Sequence, residues 1–417
     1  MTAAVKDSAL GEEIVGRIER LASISESRTA LTRVFLTAEH RAAAELLLTW
    51  MREAGMSAHT DAIGNVIGRY EGTSPKAPAL LLGSHFDTVR NAGKWDGPLG
   101  VITAIACVAD LKRRGKRFPF AIEVAAFADE EGVRFSSTLL GSRAVAGTFL
   151  ESWLAVRDRD GVSLRDALQT FGLDPQRIGT AARKPSEYLA YLELHIEQGP
   201  VLEAEGLPLG VVTAISGATR LAVILEGMAG HAGTVPMPMR HDALAGAAEC
   251  IVAIEQQCRN DVGLFGTVGT MRVEPGAPNV IPGRVAFSLD MRSASDHHRS
   301  LAVATAVRSI EQIAAKRQLT PQIDITYEQR TTPCAPWLQE QISAAIARNG
   351  FRSLRLPSGA GHDGMAISSL TDIAMLFVRC RGGVSHHPDE HVTLEDASAG
   401  AHVLLDVIEH FVPKAGG

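Results

Sequence analysis

The chain is sparing with the residues that mark a stapled, basic or membrane-embedded protein. It has only five cysteines, Cys107, Cys250, Cys258, Cys334 and Cys380. They form no CxxC pair and no regular framework, which argues against a disulfide scaffold or a cysteine-built zinc module. Cys107, Cys250 and Cys380 lie in apolar surroundings and read as small core residues, so a reducing, cytoplasmic compartment is expected. No long run of one charge occurs. The 41 basic and 47 acidic residues give a net charge of −6, without the basic footprint of a nucleic-acid binder. The longest apolar stretches, such as Val101–Ala109, fall far short of a membrane span. Met1–Leu21 alternates charged and apolar residues and has no apolar core of a secretory leader. Internal repeats and low-complexity segments are absent.

What is present is a soluble globular composition, 46% hydrophobic and 21% charged over 417 residues. That length exceeds one ordinary core, so two domains are expected. Thr37 suits the N-cap of a helix over Ala38–Ala54, closed by Gly55. Ala79–Leu82 reads as a buried strand, Leu99–Arg114 as a helix opened by Pro98, and Ala121–Ala128 as another buried strand. Strand, helix, strand at this spacing is a βαβ unit, so part of the sheet is parallel. His85 and Glu130 fall just past strand ends, where α/β sheets place their sites. A third strand over Tyr188–Leu194 ends at His195. After Ser216 the pattern changes. Strands at Thr219–Glu226, Phe265–Val273, Arg284–Met291 and Gln322–Tyr327, with helices at Asp242–Gln257 and Asp296–Arg317, give the β-α-β-β-α-β order of a ferredoxin-like sandwich. The expected fold is therefore α/β, with residues 1–215 and 332–417 in a mostly parallel-sheet domain and residues 216–331 inserted as a second domain. A last helix is expected over Leu394–Phe411.

Five short segments carry good metal ligands at loops: Gly83-Ser84-His85-Phe86-Asp87-Thr88-Val89, Lys94-Trp95-Asp96-Gly97, Asp129-Glu130-Glu131-Gly132, Glu193-Leu194-His195-Ile196-Glu197-Gln198-Gly199 and Ser385-His386-His387-Pro388-Asp389-Glu390-His391. Two divalent ions need about this inventory of imidazoles and carboxylates, and the chemistry that follows is hydrolysis by metal-activated water. Asp96 could bridge two ions, since each carboxylate oxygen can face one of them. Of Glu130 and Glu131, one can bind metal while the other stays free as a base. Asp87 is placed to orient a ligand. Each piece alone has a bland reading. A His at a strand end is usually structural, a Glu-Glu pair is usually a solvated turn, and Asp96 before Gly97-Pro98 could simply cap a helix. Their combination carries the inference.

These segments, with Ala229-Gly230-His231-Ala232-Gly233-Thr234-Val235-Pro236-Met237, resemble the hydantoinase/carbamoylase branch of the M20 metallopeptidase-like amidohydrolases over nearly the whole chain. The resemblance implies metal ligands at His85, Asp96, Glu131, His195 and His386, with Asp96 bridging, and a general base at Glu130. It implies a homodimer in which the inserted domain serves as dimerisation and lid domain and His231 reaches the partner's active site. Arg292 would hold the substrate carboxylate, Gln198 and Asn279 would contact substrate, and Gly359 and His362 would line the site. His387 departs from the small or polar residue usual after the last ligand; Ser385 and Pro388 set the register in favour of His386, and His391 is expected beyond the site. Two divalent ions per subunit are implied, zinc or manganese, with cobalt and nickel also accepted by this ligand set. The implied reaction is hydrolysis of the ureido group of a small ureido acid, releasing ammonia and carbon dioxide. Allantoate stands slightly ahead of N-carbamoyl-L-amino acids and β-ureidopropionate, because Ile24-Ser25-Glu26-Ser27, Leu31-Thr32-Arg33 and Asp61-Ala62-Ile63-Gly64-Asn65 are similar to allantoate amidohydrolases. The competing readings are an M20 aminoacylase or dipeptidase, and a non-catalytic binding homologue.

Overall fold

A computed structural model describes residues 8–414. Residues 1–7, part of the segment read as lacking a leader, lie outside the described residues. The chain divides into two compact units, residues 1–213 with 333–417, and residues 214–332.

The first unit is built on a mixed sheet whose centre is parallel. Strands Ala121–Phe127, Ala79–His85, Tyr188–Ile196 and Ile373–Val378 lie side by side in that order, all parallel. Val66–Tyr70 and Ser57–Thr60 extend one edge antiparallel. Every residue of Ala79–His85, Ala121–Phe127 and Ile373–Val378 is buried. Such strands read as continuous apolar runs because both faces of a parallel sheet are covered. Helix Pro98–Arg113 packs on the central strands, and helices Ala9–Ala22 and Leu394–Glu409 pack against it. Its first twelve residues are all buried, so Val101–Ala109 is core rather than membrane. No described helix is long and apolar enough to cross a membrane.

The second unit has the order strand, helix, paired short strands, strand, helix, strand. Its antiparallel sheet runs Met271–Glu274, Arg284–Ser293, Gly217–Glu226, Thr320–Gln329. Helices Ala243–Arg259 and Asp296–Lys316 pack on that sheet over an apolar core that includes Leu221, Val223, Phe287, Leu289 and Ile310.

Several expectations shift. The strand expected over Phe265–Val273 is two strands, Leu264–Thr267 and Met271–Glu274, both on the same edge of Arg284–Ser293. Between them one backbone bond, from Ser288 N–H to the Thr270 carbonyl, is joined by side-chain bonds from the Thr270 amide and hydroxyl to the Ser288 hydroxyl. His85 is the last residue and His195 the next to last of their strands, not past them, and Arg292 lies within Arg284–Ser293. For the His85 and His195 strands, burial on both faces removed the alternation that would have fixed the ends.

Candidate metal centre

The four parallel strands deliver their loops to one edge, at their carboxyl ends. His85 closes the first, Glu130 and Glu131 follow the second, His195 is next to last in the third, and the fourth leads to Ser385 and His386. Asp96 sits on the loop between His85 and helix Pro98–Arg113. Its side chain does not cap that helix. Gly97 holds the cap position with φ +79° and no side-chain bond, while the Asp96 carboxylate meets His85, His195 and His386.

Asp96 is the hub. His195 Nε2 lies 3.1 Å and His85 Nε2 3.4 Å from its Oδ1. His386 Nε2 lies 3.3 Å from Oδ2 and 3.5 Å from Glu131 Oε1. The ligand atoms of His85, Asp96 and His195 form one compact group, those of Asp96, Glu131 and His386 a second, and those of His85, Glu130 and Glu131 a third. The first two share Asp96, one at each oxygen. His85 and His195 are fully buried, whereas His386 is half-exposed on an irregular loop.

The surroundings fix these side chains. His85 Nδ1 faces the Asp87 carbonyl at 3.1 Å, and His195 Nδ1 the Ile196 carbonyl at 2.9 Å. Each Nδ1 therefore carries the proton, and each Nε2 turns toward Asp96. The Asp87 carboxylate accepts the backbone N–H of Glu130 at 3.1 Å and of Glu131 at 3.2 Å, which sets both glutamates in place. Three non-glycine residues here, Asp129, Gln198 and His386, adopt left-handed backbone with φ between +55° and +58°. Such residues cost roughly 1–3 kcal/mol each and persist where the surroundings dictate them.

Charge is crowded. Burial pushes the Glu131 carboxyl up to about 7. Burial also drives Glu130 well above the carboxylate range, with Glu131, Asp363 and Asp87 adding to it. Asp96 raises His386 to about 9. Burial opposes charge on His85, yet Asp96 and the neighbouring carboxylates hold it well above an ordinary imidazole. A divalent cation relieves both problems, by neutralising the carboxylates and by replacing the protons that the imidazoles otherwise hold toward Asp96. The donor set, neutral imidazoles with carboxylates, suits zinc or manganese.

The other expected residues distribute as follows. Gln198 Nε2 donates to Asp96 Oδ2 at 2.8 Å and to Ser385 Oγ at 3.2 Å, leaving its buried Oε1 without a hydrogen-bond partner. His362 is buried edge-on to His195, with Nε2 2.7 Å from the Ser358 hydroxyl. Gly359 is exposed on the same loop, whose Gly361 runs beside Glu130. His231, Asn279 and Arg292 belong to the second unit. The Ala232 amide donates to the Asn279 carbonyl, and the exposed His231 accepts from Gly233 N–H. Arg292 makes a two-pronged bond to Asp290, at 2.8 and 3.2 Å. Exposed His387 faces Asp389, and the His391 ring lies edge-on to Trp95.

Residues 81–410 match the model of peptidase family M20/M25/M40. The chain belongs to that family. It is 43% identical over 400 residues to an N-carbamoyl-L-amino acid amidohydrolase of Geobacillus stearothermophilus, covering 95% of this chain and 98% of that protein. It is 41% identical over 432 residues to an allantoate deiminase of Arabidopsis thaliana, covering 96% and 82%. A solved hydantoinase/carbamoylase family amidase from Burkholderia multivorans superposes with a TM-score of 0.91 at 32% identity, over 97% and 98% of the two chains. Within the M20 family the chain thus groups with the hydantoinase/carbamoylase amidohydrolases, and it is a hydrolase of C–N bonds.

Proposed function

We propose that this M20 member is a divalent-metal-dependent amidohydrolase of ureido acids, with allantoate first among its substrates and N-carbamoyl-L-amino acids and β-ureidopropionate next. The observation that carries the reading is the convergence of His85, His195 and His386 on the two oxygens of Asp96, with Glu131 against His386. The names of its relatives, amidohydrolases and deiminases of small ureido compounds, point the same way.

Two ions held by His85, Asp96, Glu131, His195 and His386 would supply Lewis acidity to the ureido carbonyl and acidify the attacking water. Glu130 accepts the proton of that water and returns it to the leaving nitrogen. Arg292 binds the substrate carboxylate through its planar fork, which a lysine would not reproduce. Gln198 offers Oε1 as an acceptor for a ureido N–H, and His231 donates to the developing oxyanion from a second copy of the chain. The inserted unit acts as dimerisation and lid domain, Asn279 contacts substrate, and Gly359 and His362 line the site. The carbamate product decays to ammonia and carbon dioxide.

The test is ammonia release by metal-reconstituted protein from allantoate, N-carbamoyl-L-amino acids, β-ureidopropionate and ureidoglycolate. Release from this panel, with the highest kcat/KM on allantoate, is expected. Cleavage of N-acyl amino acids or dipeptides with no ureido substrate turned over would overturn the reading.

A further inference from the structure

The segment Ser385–His391 contains one residue that neither the metal nor the base explains. Glu390 is 3% exposed, whereas residues 386–389 of the same loop are all exposed. Its Oε1 accepts two successive backbone N–H groups across the site, Trp95 at 2.8 Å and Asp96 at 3.0 Å. The single proton of the Ser385 hydroxyl points to Asp96 Oδ2 at 2.6 Å and is shared with Glu390 Oε2 at 3.1 Å. The loop that receives Glu390 is shaped around it. A Cβ on Gly93 would stand 2.3 Å from Glu390 atoms, so only glycine allows the approach. A buried carboxylate is costly unless its oxygens are used, and here both are.

We propose that Glu390 is a positioning residue for the metal centre. It fixes the Trp95–Asp96 backbone directly and, through the Ser385 hydroxyl, fixes the Asp96 side chain against the loop that bears His386. The reason lies in where the ligands come from. His85 and His195 are set by strands, but Asp96 and His386 are set by loops about 290 residues apart in sequence. Glu390 is the buried tie between those two loops. It repeats the arrangement in which Asp87 holds the Glu130 and Glu131 amides. With both ties, each loop-borne carboxylate ligand is held by a second buried carboxylate behind it. Partners of this kind govern metal affinity by roughly 10–100-fold in other metal sites.

The inference rests on the metal reading of Asp96 but not on the choice of substrate. The experiment therefore measures manganese and zinc affinity by chelator competition on the full chain, alongside the melting temperature of each metal-stripped protein. The variants are Glu390→Ala, Glu390→Gln and Ser385→Ala. Glu390→Ala is expected to weaken affinity by about 10–100-fold. Glu390→Gln keeps an oxygen for both backbone amides and an N–H for Ser385 Oγ, so it should stay within about threefold of wild type. Ser385→Ala removes only the relay and should weaken affinity by about three- to tenfold, a value between the other two. Wild-type affinity in Glu390→Ala overturns the proposal. If Glu390→Ala does not fold, Ser385→Ala decides, and unchanged affinity there overturns it. A wild-type protein that binds neither ion overturns the metal reading itself, and this inference with it.

Discussion

At the scale of single residues, the proposed function separates groups that would hold metal from one that would move a proton. Glu131 groups with Asp96 and His386, while Glu130 groups only with His85 and Glu131. Glu130→Gln should therefore keep metal affinity while kcat falls by about 10²–10⁴-fold, the usual worth of a positioned base. Full activity in that variant would remove Glu130 from the mechanism. Arg292→Lys should raise KM with little change in kcat, because a lost bidentate anchor weakens ground state and transition state alike. His40 offers a test of stability. It is fully buried, both ring nitrogens lack a hydrogen-bond partner, and it stacks on Phe86 at 4.6 Å. Burial, with Arg33 and Arg41 nearby, lowers it from 6.5 to about 3. The unfolded chain therefore binds this proton more readily, so stability rises with pH between about 3 and 6.5 and falls as acid is added through that window. At pH 5 the cost is about 2 kcal/mol. His40→Phe should narrow its stability gap to wild type by that amount between pH 7 and pH 5 in denaturant titrations.

Elements explain why some of this could be read in advance and some could not. Ala79–His85 and Ala121–Phe127 were legible because parallel strands buried on both faces are unbroken apolar runs, and the ligands follow them directly in sequence. Their shared edge follows from the βαβ connection, so His85 and Glu130 could be paired without coordinates. Strand Ile373–Val378 escaped because nothing in its own sequence gives its partner; its neighbour in the sheet, Tyr188–Ile196, ended 177 residues earlier. Glu390 escaped for a related reason. It stands within the motif that places His386, yet its partners are backbone amides at Trp95 and Asp96, and backbone donors leave no residue signature. Gln198 was read from resemblance as a substrate contact, while its amide nitrogen is engaged with Asp96 and Ser385, a pairing no spacing reveals. Gly97 shows what an element boundary must allow. At φ +79° a Cβ would stand 2.4–2.6 Å from the His85 ring. Gly97→Ala should displace that imidazole and lower kcat/KM by about 100-fold, since a shift near 1 Å at a reacting centre costs that much.

For the whole molecule, the two units carry different parts of the proposed function. The first holds every candidate metal ligand, and the second holds His231, Asn279 and Arg292. Mixing His231→Ala subunits with Glu130→Gln subunits should restore part of the activity, because one site of each heterodimer would be intact. Verified heterodimers with no recovery would confine His231 to its own subunit or remove it from the reaction. Metal should also stabilise the fold, since a ligand that binds only the native state adds about 2.7 kcal/mol at 100 times its Kd. Most direct is anomalous X-ray scattering from crystals grown with manganese or zinc, recorded at the metal's absorption edge. The expected map has two peaks, one beside Asp96 Oδ1 within about 2.0–2.2 Å of His85 and His195 nitrogens or carboxylate oxygens, the other beside Oδ2 near Glu131 and His386. No peak at Asp96, or a single ion held instead by Glu193, His195 and His362, would contradict a two-ion centre built on that carboxylate.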